Sequence, residues 1–215
     1  MKLVARSLGA ALAGTMIHAP SWAAEPRDWS IEVLIGDALN LTSHTRILSA
    51  QTSSSAFGGD YETRGLEGPL HYTARLTHWD QDRGWSLELL HHKLFLRNRP
   101  PGVEALSISH GFNIVALSRA YALDPWQFRL GLGPVIAHPE ARIDGAVYDG
   151  DYELAGGAAV GSAGATFALT PQLSVSGEVA LTFGYVNVHP RGEPALTFSV
   201  RNPAIHARFG LSYGF

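Results

Sequence analysis

Apolar residues recur at every second position through most of this chain. From Trp29, the stretch WSIEVLIG sets Trp29, Ile31, Val33 and Ile35 on one face and Ser30, Glu32 and Gly36 on the other. That period of two is the signature of a strand with one buried and one lipid- or solvent-facing side. The alternation returns near residues 70–79, 84–96, 106–122, 126–138, 153–168, 172–188 and 203–215, so the pattern predicts eight strands. In WQFRLGLGPVI, Trp126, Phe128, Leu130, Leu132 and Ile136 oppose Gln127, Arg129, Gly131 and Gly133. In IHARFGLSYGF, Ile205, Phe209, Leu211, Tyr213 and Phe215 alternate with His206, Arg208, Gly210, Ser212 and Gly214.

The links between these segments alternate in length. DQDR (80–83), LDP (123–125) and LTPQ (169–172) are tight turns built from Asp and Pro, whereas the polar links near 38–69, 97–105, 139–152 and 189–202 are long. Short turns at one end and long loops at the other predict an all-β fold: an eight-stranded antiparallel up-and-down transmembrane barrel with periplasmic turns and extracellular loops. Trp29, Trp85, Trp126 and Tyr213 fall at the turn end, where an aromatic girdle belongs. A barrel of this size is filled by its own side chains. Charges on the inward face (Glu32, Arg75, Glu88, Arg119, Arg129, Glu178 and Arg208) must therefore pair, and a hairpin centred on DQDR sets Arg75 across from Glu88.

Composition adds the compartment. Lys2 and Arg6 precede the apolar run SLGAALAGTMIHAP, and Ser21 and Ala23 supply small residues before a cut, so residues 1–23 read as a secretory signal peptide and 24–215 as one barrel domain. The remainder has no apolar run of about 18 residues, which excludes a membrane-spanning helix. Cysteine is absent, so any metal site uses His, carboxylate or amide ligands. The net charge of −3 argues against a nucleic-acid partner. Composition alone also fits a soluble sandwich.

The candidate chemistry lies in the histidines. Of ten, His18 falls in the leader; His44, His71, His91, His92, His110, His138, His189 and His206 map to the extracellular half, and His78 to the turn end. A symmetric hairpin around 97–105 sets His91 opposite His110 and His92 opposite Ser109, and the next hairpin sets His110 opposite Glu140 with His138 diagonal to it. His91, Lys93, His110, His138 and Glu140 then share an outward face at the lipid headgroup boundary, while His71 and His92 point inward above Arg75 and Glu88. A single bulge exchanges the two sets. Three readings stay open: a polar rim of imidazoles, a transition-metal site of His91, His110, His138 and Glu140 whose ion the sequence does not identify, or a Ser activated by His. For the last, Ser109 and His110 are consecutive strand residues and are expected on opposite faces.

The motifs HHK and SHGFN resemble those of a group of small Gram-negative outer-membrane barrels that includes the lipid A oxidase. There a His-x-Lys ends the third strand and an Asp/His-Gly-x-Asn follows on the fourth; FRLGLGPVIAHPEA is similar to the group's glycine-rich fifth strand. This chain has His110 where Asp is expected in the second motif. The resemblance covers roughly residues 85–215. It implies lipid A of lipopolysaccharide as substrate, oxygen-dependent oxidation of its proximal glucosamine as reaction, and His91, Lys93, His110 and Asn113 as the catalytic positions. Arg97, Arg99, Arg142, Arg191 and Arg201 in the loops are candidates for holding its phosphates, with Arg97, Arg99 and Arg142 nearest the motifs in sequence. The terminal Phe215, with apolar residues at alternate places before it, resembles the ending by which the outer-membrane assembly machinery reads such barrels. The alternatives are a lipid A acyl hydrolase and a non-enzymatic barrel, structural or adhesive, that presents its long first loop.

Overall fold

The computed structural model describes residues 28–49, 55–192 and 195–215; the expected signal peptide and its cut lie outside them. The strands are β1 (Trp29–Asn40), β2 (Ser43–Ser49), β3 (Ser55–Gly59), β4 (Tyr61–Glu62), β5 (Tyr72–Asp80), β6 (Arg83–Leu96), β7 (Val103–Leu123), β8 (Trp126–Ala137), β9 (Glu140–Ile143), β10 (Ala146–Asp149), β11 (Glu153–Ala168), β12 (Leu173–Val188) and β13 (Leu196–Gly214). Eight of them, β1, β5, β6, β7, β8, β11, β12 and β13, pair antiparallel in that order, and β13 returns to β1 to close the ring. These are the eight strands the alternation predicts, joined at one end by the turns at 80–83, 123–126 and 169–172. Closure removes every unpaired strand edge from the ring, the condition for crossing lipid with strands.

The long links are where the sequence reading falls short. β2 continues the line of β1 and pairs with the upper part of β13, β4 pairs with β6, and β9 pairs with the start of β7, so the wall extends beyond the ring in place of open loops. The reason is visible in SHTRILS: Ser43, Thr45 and Ile47 are buried and His44, Arg46 and Leu48 are exposed or nearly so. The alternation is present, but hydroxyl side chains occupy the buried places and the hydrophobic signal disappears.

On the ring, Trp29, Ile31, Val33, Trp126, Phe128, Leu130, Leu132, Phe209, Leu211 and Tyr213 are exposed outward, forming the belt that faces hydrocarbon. The interior is layered. Near the turn end, Thr77 and Ser86 share a hydrogen bond. Above them Arg75 sits fully buried, its Nε donating to Glu88 at 2.7 Å, Nη1 to Glu32 at 2.9 Å and Nη2 to Glu178 at 3.0 Å. Arg129 adds a contact to Glu32 at 2.9 Å and Arg208 one to Glu178 at 2.6 Å. Three guanidinium groups thus meet three carboxylates, which is how charge is tolerated in a dry interior. Arg75 lies directly opposite Glu88, as expected. Arg119 does not join them. It points outward, over the rings of Trp85 at 5.3 Å and Tyr121 at 5.7 Å, because its strand parity is that of exposed Leu117 and Tyr121.

Higher still come imidazoles and amides, and then an apolar plug that includes Leu90, Leu94, Ile108, Phe112, Val186 and Phe198. Tyr61 closes this plug in the extension, its hydroxyl 2.9 Å from Thr45 Oγ1, and burial raises the phenol pKa above its ordinary range.

Candidate functional site

A register break creates the outward site. From Arg83↔Tyr121 to His92↔Phe112 the β6–β7 pairing is regular, and it resumes at Leu94↔Ile108. Lys93 therefore faces Ser109, His110 and Gly111 together. The expected pairs of His91 with His110 and His92 with Ser109 are corrected to His91 with Asn113 and His92 with Phe112. The extra residues are absorbed in a bulge within β7 and not in the hairpin loop. Gly111 makes this possible: its φ is +149° and a Cβ there would lie 1.9 Å from the Asn113 amide nitrogen.

The same break shifts the other side. Glu140 pairs with Ser107 in the ladder, not with His110, yet the bulge turns His110 outward so that its Nδ1 lies 3.1 Å from Glu140 Oε1. Its ring meets that of His138 at 5.1 Å. His138 and Glu140 prolong the outward row of Leu132, Pro134 and Ile136 on β8. The His138 amide donates to the Gly111 carbonyl, and the Tyr152 hydroxyl to the His110 carbonyl at 2.9 Å. The Tyr152 ring packs 5.0 Å from His138. Donor atoms of His110, His138 and Glu140 lie within 4.8 Å of one another, close enough to converge on one ion.

Ser109 also enters this group, against the expectation that it and His110 point apart. Its Oγ donates to Glu140 Oε2 at 2.8 Å and lies 3.3 Å from His110 Nδ1. The irregular backbone cancels the strand parity on which that expectation rests.

His91, Lys93 and Asn113 are positioned differently. His91 Nδ1 is 2.7 Å from Asn113 Oδ1, and its ring stacks on Tyr72 at 5.2 Å. His91 is 5 % exposed and stands outside the close donor group of His110, His138 and Glu140. Lys93, expected at the open lipid boundary, is buried: its Nζ donates to the carbonyls of Arg64 at 2.7 Å and Glu67 at 2.8 Å. The segment between β4 and β5 folds over it, a tertiary contact that strand patterning does not contain. Of the loop arginines, Arg99 bonds the Glu104 carbonyl, Arg97 and Arg142 pair loosely with Glu62 and Glu104 at 3.9 and 3.8 Å, Arg191 pairs with Asp151, and Arg201 lies over Tyr185.

Inside the wall, His71 and His92 are buried as expected, and His206 joins them. Sequence reasoning placed His206 inward without bringing the three together. The signal lay in register, since His206 pairs with Ala38 of β1 and the His71 carbonyl accepts from the neighbouring Gly36 amide.

No family model matches the chain, and no curated sequence matches it. Among solved structures it is similar to the outer membrane protein AlkL in lipid bilayers, at 11 % identity over all of this chain and 97 % of that one, with a TM-score of 0.55. Neisserial surface protein A matches at 12 % identity over 87 % of this chain and 97 % of that one, TM-score 0.44. The attachment invasion locus protein Ail of Yersinia pestis matches at 10 % over 84 % and 99 %, TM-score 0.37. The fold is that of the small bacterial outer-membrane β-barrels.

Proposed function

We propose that this outer-membrane barrel modifies lipid A of lipopolysaccharide in the outer leaflet, by oxygen-dependent oxidation of the proximal glucosamine. The observation that carries the reading is the convergence of His110, His138 and Glu140 on the outward side of the wall, at the end of the apolar belt. A donor set there reaches a lipid headgroup without drawing the lipid from the bilayer. Two imidazoles and a carboxylate suit a divalent or redox-active transition ion, which would supply electron transfer between sugar and dioxygen. In such an oxidation the anomeric carbon of an unphosphorylated hemiacetal gives two electrons and two protons to dioxygen, forming hydrogen peroxide. The resulting lactone takes up water, so the lipid gains one oxygen atom. Asn113 holds His91 beside this site, and Arg97, Arg99 and Arg142 are the proposed phosphate contacts. The Lys93 ammonium, engaged by two carbonyls, acts here by anchoring the covering segment.

A second reading has its own observation. Ser109 touches both His110 and Glu140, the residue types of an acyl hydrolase. The wiring differs from an activated serine, because the hydroxyl donates to the carboxylate and the acid shares Nδ1 with it instead of supporting the far ring nitrogen. A non-enzymatic barrel, structural or adhesive, is the third.

Mass spectrometry of lipid A from cells with and without the gene separates them. Gain of one oxygen supports oxidation, loss of an acyl chain supports hydrolysis, and an unchanged lipid overturns both in favour of the non-enzymatic barrel. Assembly by the outer-membrane machinery through Phe215 is part of the same proposal and is tested by deleting that residue and measuring folded barrel in the membrane.

A further inference from the structure

The interior holds a second group of imidazoles that the outward chemistry does not use. His71, His92 and His206 are each 0 % exposed, and each offers a nitrogen within 4.8 Å of the others. They come from three neighbouring parts of the wall: the approach to β5, the end of β6, and the middle of β13.

Hydrogen bonding accounts for only part of what they present. His92 Nε2 is 3.0 Å from Asn40 Oδ1. That oxygen also accepts from Asn202 Nδ2 at 3.0 Å, while Asn40 Nδ2 donates to Thr63 Oγ1 at 2.8 Å. With Asn40 Oδ1 toward the ring, His92 Nε2 carries the proton and Nδ1 the lone pair. His206 Nε2 is held by Thr182 Oγ1 at 2.8 Å, and its Nδ1 stands 3.2 Å from His71 Nε2. His92 Nδ1 is left over, buried with no hydrogen-bond partner; His71 Nδ1 is also unpartnered, but the His71 ring meets His206 through Nε2. A buried nitrogen with no partner is costly, and the one on His92 calls for an occupant.

We infer that His71, His92 and His206 form a buried site for a divalent transition ion of the zinc class, pinning β5, β6 and β13 together across the lumen. The geometry agrees. Two nitrogens bound to one tetrahedral ion at about 2.0–2.1 Å are roughly 3.3 Å apart, close to the 3.2 Å between His71 Nε2 and His206 Nδ1. Metal-bound imidazoles characteristically give their other N–H to an oxygen that fixes ring and tautomer; Asn40 Oδ1 stands in that position for His92 and Thr182 Oγ1 for His206. Phe112, edge-on to His92 at 5.9 Å, closes the side toward the apolar plug. The fourth position is for water or a small anion.

The site is independent of the outward one, and the test keeps them apart. The full-length protein is folded in detergent, stripped with a chelator, and titrated with Co(II) as the probe while visible absorption is recorded. The expected result is a tightly bound ion with tetrahedral ligand-field bands that is retained, at one per chain, when His110 and His138 are both changed to Ala. His206→Ala should lower the affinity at least about 100-fold. Thr182→Val, which keeps shape and removes only the orienting oxygen, should lower it about 10- to 100-fold with normal heat-modifiable migration, so the outcome does not depend on the His206 variant folding. No tight Co(II) binding by the unaltered protein, or binding that disappears with the outward pair and survives Thr182→Val unchanged, overturns the proposal.

Discussion

His91 and His92 are consecutive residues on opposite sides of one wall, and their surroundings follow different rules. Inside, beneath His92, every charge has a fixed partner: Arg75, Arg129 and Arg208 are met by Glu32, Glu88 and Glu178. Outside, His110 and Glu140 have side chains 54 % and 35 % exposed, held by a bulge and open to whatever lies against the barrel. The inner face has the features of a fastening and the outer face those of a place where something binds. The comparison therefore predicts that substitutions on the two faces differ in kind: inner ones are read in stability, outer ones in lipid chemistry.

The sharpest way to break that comparison is Arg75→Ala. Three carboxylates would remain against two guanidinium groups in a dry lumen, and removing one partner of a buried pair costs about 3–5 kcal/mol. Urea unfolding of the barrel in lipid should show a large fall in midpoint, and Glu88→Ala a similar one. A midpoint equal to that of His110→Ala would mean that the inner charges are not the fastening described here.

Gly111→Ala comes next and sharpens the comparison, because this residue serves both faces. An alanine at φ +149° is strained, and its Cβ would displace the Asn113 carboxamide from His91. A destabilisation of about 1–3 kcal/mol is expected from backbone strain of this type, together with loss of any lipid A change. Full retention of both would mean that the bulge can be relaxed without consequence.

The two faces also differ in how far they could be read from sequence. The inner pair Arg75–Glu88 followed from one tight turn and period-two counting, since a two-residue hairpin fixes register over its whole length. The outer site did not follow, because its register depends on three residues of β7 opposing one of β6, and nothing in SISHGFN states where extra residues are absorbed. His110 and Glu140 were brought together in expectation by a pairing the structure does not have, and in fact by the bulge. Lys93 was misplaced because its cover comes from the link before β5. The extension of the wall was hidden by Ser43 and Thr45 at buried positions. Closure of eight strands, by contrast, is a global consequence of many weak signals and tolerates local error.

On the outer face, His110→Ala should change the unfolding free energy by no more than about 0.5 kcal/mol, as substitutions at exposed positions do, and His138→Ala, at a partly buried ring, by somewhat more; both should abolish the lipid A product. The pair is informative together. Both donors belong to one group, so if that group acts as a unit each single variant should lose as much as the double. Additive partial losses would point to independent contacts with the lipid and away from a shared site.

The smallest effect is expected at Arg119, and it tests the other end of the outward face. This residue breaks the pattern that charges go inward, and its guanidinium lies over Trp85 and Tyr121 at the turn end of the belt. A partly exposed cation over an aromatic ring contributes about 0.5–1 kcal/mol, so Arg119→Ala should lower the unfolding free energy by that amount and no more. Arg119→Lys should recover only part, since an ammonium keeps the charge but cannot stack as a plane on both rings. A loss as large as that of Arg75→Ala would assign Arg119 to the interior network and reverse the parity of β7. Every statement about which side of the wall Asn113 faces depends on that parity, so the weakest variant in the series checks the geometry on which the outward site is built.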